Sequence, residues 1–196
     1  MPFDEEEKKC EGEEPKQEGI LSKLLKSRTV LINGTIDQEM AEKVVAQLLV
    51  LDAESHDPIK AIITSPGGHV DSGFAIYDMM RFVESPVIGI GAGWVASIAV
   101  PILFGVEKTR RYALPNTRFL LHQPSGGAGG QAADIRIEAQ EILKIRTRIN
   151  KLIAAETGHP EDKVAKDSDR NFWMNAEEAL EYGLITKIIR SVQEVA

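Results

Sequence analysis

Residues 59–83 read IKAIITSPGGHVDSGFAIYDMMRFV. The first seven are apolar and largely β-branched, which favours a buried strand. Pro66-Gly67-Gly68 then removes a backbone donor and supplies two residues free to take positive φ, so the strand must stop. From Val70 the apolar residues return at helical spacing. A buried strand turning directly into a helix is half of a β-α-β unit, and the same alternation is expected on either side.

It recurs in both directions. Upstream, GILSKLLKS reads as a short helix and RTVLING as a strand ending at Asn33-Gly34. IDQEMAEKVVAQLLVLDAES follows as a helix, with Ile36, Met40, Val44, Leu48 and Leu51 in phase and Asp37 as its N-cap. Downstream, SPVIGIGAG (85–93) is a buried strand, VASIAVPILFGV (95–106) a buried helix and TRFLLHQ (117–123) a further strand. After the glycine-rich PSGGAGGQ (124–131), residues 132–158 form the clearest helix, with Ile135, Ile142, Ile145, Ile149 and Ile153 on one side and Gly158 as its stop. The class is α/β with mostly parallel strands. An apolar stripe on so long a helix needs cover, which points to oligomerisation.

The 196 residues suit one folded domain with a real core. That domain spans 20–196, behind a segment 1–19 holding eight acidic residues and three lysines, read as flexible because it cannot offset its ordering entropy by burial. A net charge of −7 without a basic stripe argues against nucleic acid as a partner. The longest apolar run is too short to span a bilayer and holds Pro101, so no membrane role is expected. The first residues lack the basic-then-apolar order of a secretory signal, and the single Cys10 permits no internal disulfide. Both suit a cytoplasmic protein.

Candidate chemistry gathers at strand ends. Ser97, in GAGWVASIAV, lies where a strand passes into a helix; such a serine can simply pack against its own backbone, or be presented as a nucleophile on a sharp turn. Gly67-Gly68 is either an ordinary turn or a device that lets amides face a ligand. His122 ends the run RFLLH at the carboxyl edge of a strand, where open α/β folds place binding residues. His56 and His159 lie in polar loops, and His69 follows the glycine pair. Together Gly67/Gly68, Ser97 and His122 supply an oxyanion site, a nucleophile and a base, the parts of acyl transfer. There is no metal-ligand set and no phosphate or dinucleotide loop, so neither a metal nor a cofactor is expected. In DSDRNF, Asp167, Asp169 and Asn171 alternate and would share a face if extended.

Taken in order, these pieces resemble the proteolytic subunits of the Clp protease, the ClpP family, over about residues 20–189. The likeness rests on SPGG followed by GFAIYDMM, on GWVASIA, on RRYALPNTRFLLHQPSGG with GQAADIRIEAQEIL, and on AEEALEYGLI. It implies a ClpP/crotonase-like fold and a barrel of two stacked seven-membered rings, of one or two kinds of ClpP subunit. Inside it a serine endopeptidase would cut unfolded polypeptides delivered by an AAA+ unfoldase such as ClpX, ClpA or ClpC. ATP would be used by that partner and not by this chain. By resemblance, Ser97 is the nucleophile, His122 the base, and the amides of Gly68 and Ile98 the oxyanion hole. A strand over 123–131 and the helix from Ala132 form a projecting handle, about 123–158. Asp169 and Arg170 occupy the positions of an inter-ring ion pair.

Two features depart from the family pattern. Asn171 stands where the triad has aspartate, and an acidic segment replaces the apolar N-terminal hairpin that meets the unfoldase. Asparagine accepts a hydrogen bond from imidazole but brings no negative charge, so reduced turnover is expected. An idle structural ring subunit, and an acyl-CoA enzyme of the crotonase superfamily, are the competing readings.

Overall fold

A computed structural model of the chain describes residues 19–127 and 129–195; apart from Gly19, the segment expected to be flexible lies outside them. Strands β1 (Thr29–Asn33), β2 (Ile59–Ser65), β3 (Val87–Ala96), β4 (Arg111–Ala113) and β7 (Lys187–Ile188) run parallel in the order β1-β2-β3-β4-β7. This is the parallel sheet expected from the alternating pattern. Helix α2 (Gln38–Glu54) buries Ala41, Val44, Leu48 and Leu51, and the Asp37 carboxylate accepts its Met40 N–H at 2.8 Å as the predicted cap. Helix α3 (Val70–Phe82) starts directly after the glycine turn.

The site is created by an irregularity in β3. Its first half pairs with β4, Gly89 to Gly91 opposite Arg111 to Ala113. Its second half pairs with β5 (Arg118–Leu121), Trp94 to Ala96 opposite Arg118 to Leu120. Between the halves, Ile63↔Gly91 gives way to Ser65↔Val95 on the β2 side, and Gly93 takes φ +63°. The extra residues bend the strand. β5 can then leave the main sheet and receive β6 (Phe172–Met174) antiparallel on its far edge.

The buried helix expected over 95–106 is shorter than its apolar run. Val95 and Ala96 finish β3, and α4 covers only Ala99–Phe104, with all six residues buried. The run is apolar because it lies in the core as strand, turn and helix together, and periodicity cannot divide such a run. Pro101 is tolerated because it falls in the first turn, where its missing N–H has no intrahelical partner.

Helix α5 (Ala132–Thr157) ends at Gly158 in the left-handed conformation, as its sequence predicts. Over its roughly 39 Å, only Ile149, Asn150, Ile153 and Ala154 are buried. Ile135, Ile137 and Leu143 stand exposed. The buried end is anchored by Arg111, whose guanidinium pairs with Glu156 at 2.7 Å, donates to the Val106 and Phe104 carbonyls, and lies over the Phe104 ring. The described residues over 123–131 form no strand, contrary to the strand expected in the handle. In a single chain β5–β6 pairing stops at Leu121↔Phe172, and the Gln123 side chain donates instead to the Asp169 carbonyl at 2.9 Å. Extended backbone without a neighbouring edge gains no ladder hydrogen bonds.

Candidate active site

Ser97 is the first residue after β3 and takes φ +57°, a left-handed conformation uncommon for a side chain bearing a Cβ. It is held there from both sides. Its N–H donates to the Leu120 carbonyl of β5 at 2.9 Å, and its own carbonyl accepts the Val100 N–H at 3.1 Å as α4 begins. The sharp strand-to-helix turn leaves the side chain half-buried at the carboxyl edge of the sheet.

The glycine turn fits around it. A methyl group on Gly67 would lie 2.6 Å from Ser97 Cβ and 2.8 Å from the Ala96 carbonyl oxygen, so this position must be glycine for Ser97 to sit where it does. One on Gly68 would lie 2.1 Å from the Ile36 carbonyl oxygen, and Gly68 is at φ +153°. Gly68 forms a parallel bridge with Ile36 through its neighbours: Ile36 N–H donates to Gly67 O at 2.9 Å and His69 N–H to Ile36 O at 2.7 Å. In that geometry the residue between the two bonds turns its own N–H the other way. Gly67 N–H is occupied by the buried Ser65 hydroxyl oxygen at 3.0 Å. The amides of Gly68 and Ile98 have no hydrogen-bond partner among the described residues. Ile98 precedes α4, whose first N–H groups lack intrahelical acceptors, and its side chain fits only because α3 carries Gly73, where a methyl would come within 2.2 Å of Ile98 Cγ1.

His122 follows β5, the strand that neighbours the end of β3. The residue opposite it comes from register. The last β5–β6 pair is Leu121↔Phe172, so the next residues outward, His122 and Asn171, stand directly opposite, and such pairs bring side chains together on one face. Asn171 Oδ1 lies 3.3 Å from His122 Nδ1. With Nδ1–H donating to that oxygen, Nε2 is left as an acceptor, the tautomer a general base needs. Among the described residues Ser97 and His122 share no hydrogen bond, and such contacts often tighten only when substrate is bound.

The other residues of DSDRNF part company. Asp167 is the last residue of α6 (Glu161–Asp167) and takes the Tyr182 hydroxyl at 2.9 Å and the Lys163 ammonium. Burial, reinforced by that carboxylate, pushes the Tyr182 phenol well above its usual range. Asp169 pairs with Arg146 of α5 at 3.2 Å, and Arg170 is exposed without an ion pair among the described residues. His69 caps α3 through Ser72, His56 lies beside Asp52 and Glu84, and His159 packs tilted against Tyr182 with ring centroids 4.3 Å apart, so none of the three joins the site. Sequence reasoning missed Ser65, Gly73 and Ile36. Of these only Ser65 leaves a trace, a hydroxyl two residues before a glycine that must be fixed in a turn.

Comparison with known proteins agrees with this fold. The Clp protease family model matches residues 11–192. ATP-dependent Clp protease proteolytic subunit 3 of Rhizobium meliloti is 50% identical over 192 residues, covering 98% of this chain and 97% of the relative. Proteolytic subunit 2 of Treponema denticola is 48% identical over 179 residues, 91% and 90% of the two chains. Among solved structures, an asparagine-to-aspartate mutant of ClpP1 from Listeria monocytogenes superposes with a TM-score of 0.83 at 46% identity, covering 89% of this chain and 98% of that one. With a family model that matches residues 11–192 and relatives about half identical over nearly its whole length, the chain belongs to the Clp protease family.

Proposed function

We propose that this chain is a serine endopeptidase subunit in which Ser97 attacks the peptide carbonyl, His122 takes its proton, and Asn171 orients His122. The amides of Gly68 and Ile98 receive the oxyanion. The reaction itself is the family's, peptide-bond hydrolysis through a serine nucleophile. His122 then returns the proton to the leaving amine, and a water activated by the same imidazole releases the acyl group from Ser97. The observation that carries the reading is the β5–β6 register, which sets Asn171 opposite His122 at the end of the strand lying beside Ser97.

An amide at the third position supplies orientation without charge. The imidazolium formed during attack is therefore stabilised less than beside a carboxylate, and turnover is lower than a Ser-His-Asp site would give. Nothing in this chemistry calls for a cofactor or metal on this chain.

Family membership supports assembly into rings, and the exposed Ile135, Ile137 and Leu143 of α5 supply a surface for it. The finer reading is two stacked seven-membered rings, alone or with a second ClpP subunit, fed unfolded polypeptide in the cytoplasm by an AAA+ unfoldase that spends the ATP. Asp169 and Arg170, at the edge of the site, would report on ring contacts. Among the described residues no helix is long and apolar enough to cross a membrane.

A fluorophosphonate probe tests the central claim. Wild type is expected to be labelled at Ser97 and Ser97→Ala to resist labelling. Absence of wild-type labelling would leave the chain as an idle ring member.

A further inference from the structure

The face of the β3–β5–β6 sheet that carries the His122–Asn171 pair also carries four residues the reaction does not use, of which Leu120 is buried and the other three reach the surface. Side chains alternate along a strand, so Arg118 and Leu120 share the face of His122, and Trp173 shares that of Asn171. Parallel pairing of Trp94 with Arg118 brings Trp94 to the same face. The opposite face is spoken for: Val95, Phe119, Leu121 and Met174 are all buried in the core.

On the open face, Arg118 occupies the middle strand with a tryptophan strand on each side. Its guanidinium lies over the Trp173 indole, 4.3 Å from the ring centroid, and Arg118 itself is exposed. Trp94 is 42% exposed. Among the described residues Arg118 makes no ion pair and no side-chain hydrogen bond, although the chain carries a net charge of −7. A guanidinium held over an indole by its central carbon, with no ion pair or hydrogen bond of its own among the described residues, keeps N–H groups free in the planar fork that matches a carboxylate. It has also lost part of its conformational freedom before any ligand arrives.

We propose that Trp94, Arg118 and Trp173 form a substrate subsite that takes an acidic side chain of the polypeptide being cut. Arg118 pairs with the carboxylate and the two indoles flank the substrate's aliphatic atoms. From Arg118 to His122 is four strand residues, about 13 Å, so the acid sits three to four residues of extended substrate from the scissile bond. This inference rests on the proposed peptidase reading and adds specificity to it.

The test uses the assembled wild-type protein and a matched set of fluorogenic peptides. Each carries one Glu, or Gln in its place, three or four residues to either side of the scissile bond. At one of these positions wild type is expected to cleave the Glu peptide about three- to fivefold faster in kcat/KM, the gain one partly exposed ion pair supplies. The preference should fade as salt is raised. Arg118→Met should bring the Glu and Gln peptides to equal kcat/KM, and Trp173→Leu should weaken the preference. Equal cleavage of Glu and Gln peptides at every position by active wild type would overturn the subsite and leave the peptidase reading intact. So would an Arg118→Met protein whose native mass changes, since that would make this face a contact between subunits. If no peptide is cleaved, the Ser97→Ala protein binding the Glu peptide no tighter than the Gln peptide, by fluorescence anisotropy, overturns the subsite; tighter binding supports it and isolates the failure in the chemistry.

Discussion

Ser97 and the two amides beside it are held by backbone that has no room to move, whereas His122 and Asn171 meet through one exposed contact. On the nucleophile side, Gly67 and Gly68 sit where a single methyl would strike the backbone or Cβ of Ala96, Ser97 or Ile36, and the left-handed Ser97 is tied to both β5 and α4. On the base side, the 3.3 Å contact between His122 and Asn171 lies just past the end of a strand pair, and the turn carrying Asn171 is secured by an exposed pair, Asp169 with Arg146. Oxyanion donors act only if they are in place before charge develops, so that half is built from backbone. A base must approach and leave the nucleophile, so side chains suffice there. Substitutions should therefore be far costlier on the first side than on the second.

Gly68→Ala carries the largest expected effect. The added Cβ meets the Ile36 carbonyl oxygen at 2.1 Å and forces the turn to move, taking one oxyanion donor with it. Loss of such a donor costs about 10²–10³ in kcat, and an alanine forced to positive φ adds about 1–2 kcal/mol of destabilisation. Peptide turnover and a thermal melt measured together are expected to fall together. Full activity in the variant would show that this amide does not serve the reaction.

Asn171→Asp comes next, with the opposite sign. A carboxylate opposite His122 supplies the charge that the amide lacks, and the ceiling on that gain is about 10⁴ in turnover. An increase of at least about tenfold on a small peptide is expected. No gain, or a loss, would mean that charge at this position does not limit the rate and that the base side is limited by position instead.

These two variants also mark how far the sequence could be read. Strand β2, the Pro66-Gly67-Gly68 turn, α2 with its Asp37 cap and α5 with its Gly158 stop are local patterns, and each lies where periodicity and capping place it. Ser97 and His122 were legible as candidates because both fall at strand ends. Their neighbours were not. The bend in β3 depends on a register shift against β2, which no run of residues announces, and the positive φ of Ser97 is imposed by partners on β5 and α4. Strand β6 is three residues long, too short for any period to appear, yet its register is what sets Asn171, and not Asp169, opposite His122. The handle strand was expected from resemblance alone, and a single chain offers it no edge to join.

Arg146→Ala probes how much the base side owes to its surface anchor. Both partners of the Arg146–Asp169 pair are partly exposed, and such pairs contribute about 0–1 kcal/mol. Turnover should drop no more than about fivefold, chiefly in kcat, with Ser97 still labelled by the fluorophosphonate. Raising the salt concentration should lower wild-type turnover toward the variant's level, because an exposed pair is screened. A loss approaching that of Gly68→Ala would mean the two halves are not built differently after all.

The smallest effect on catalysis is expected at Asp52, which fixes the entry to β3 far from the chemistry. Its carboxylate accepts the Ser85 N–H at 2.8 Å and the Ser85 hydroxyl at 2.7 Å, just before Pro86 leads into the strand. Those bonds lower its pKa from 3.8 to about 2, the hydroxyl contributing most. Because the folded value lies below the unfolded one, the stabilisation is complete above pH 3.8 and is lost as pH falls from there toward 2. Asp52→Asn should flatten that acid limb of a stability-against-pH curve and leave peptide turnover at neutral pH within about twofold of wild type, as expected of a part-buried interaction at the far end of β3 from Ser97. If neutral-pH turnover instead fell as it does in Gly68→Ala, the rigidity around Ser97 would extend back along β3 to its first residue, and the backbone-built half of the site would be the whole strand.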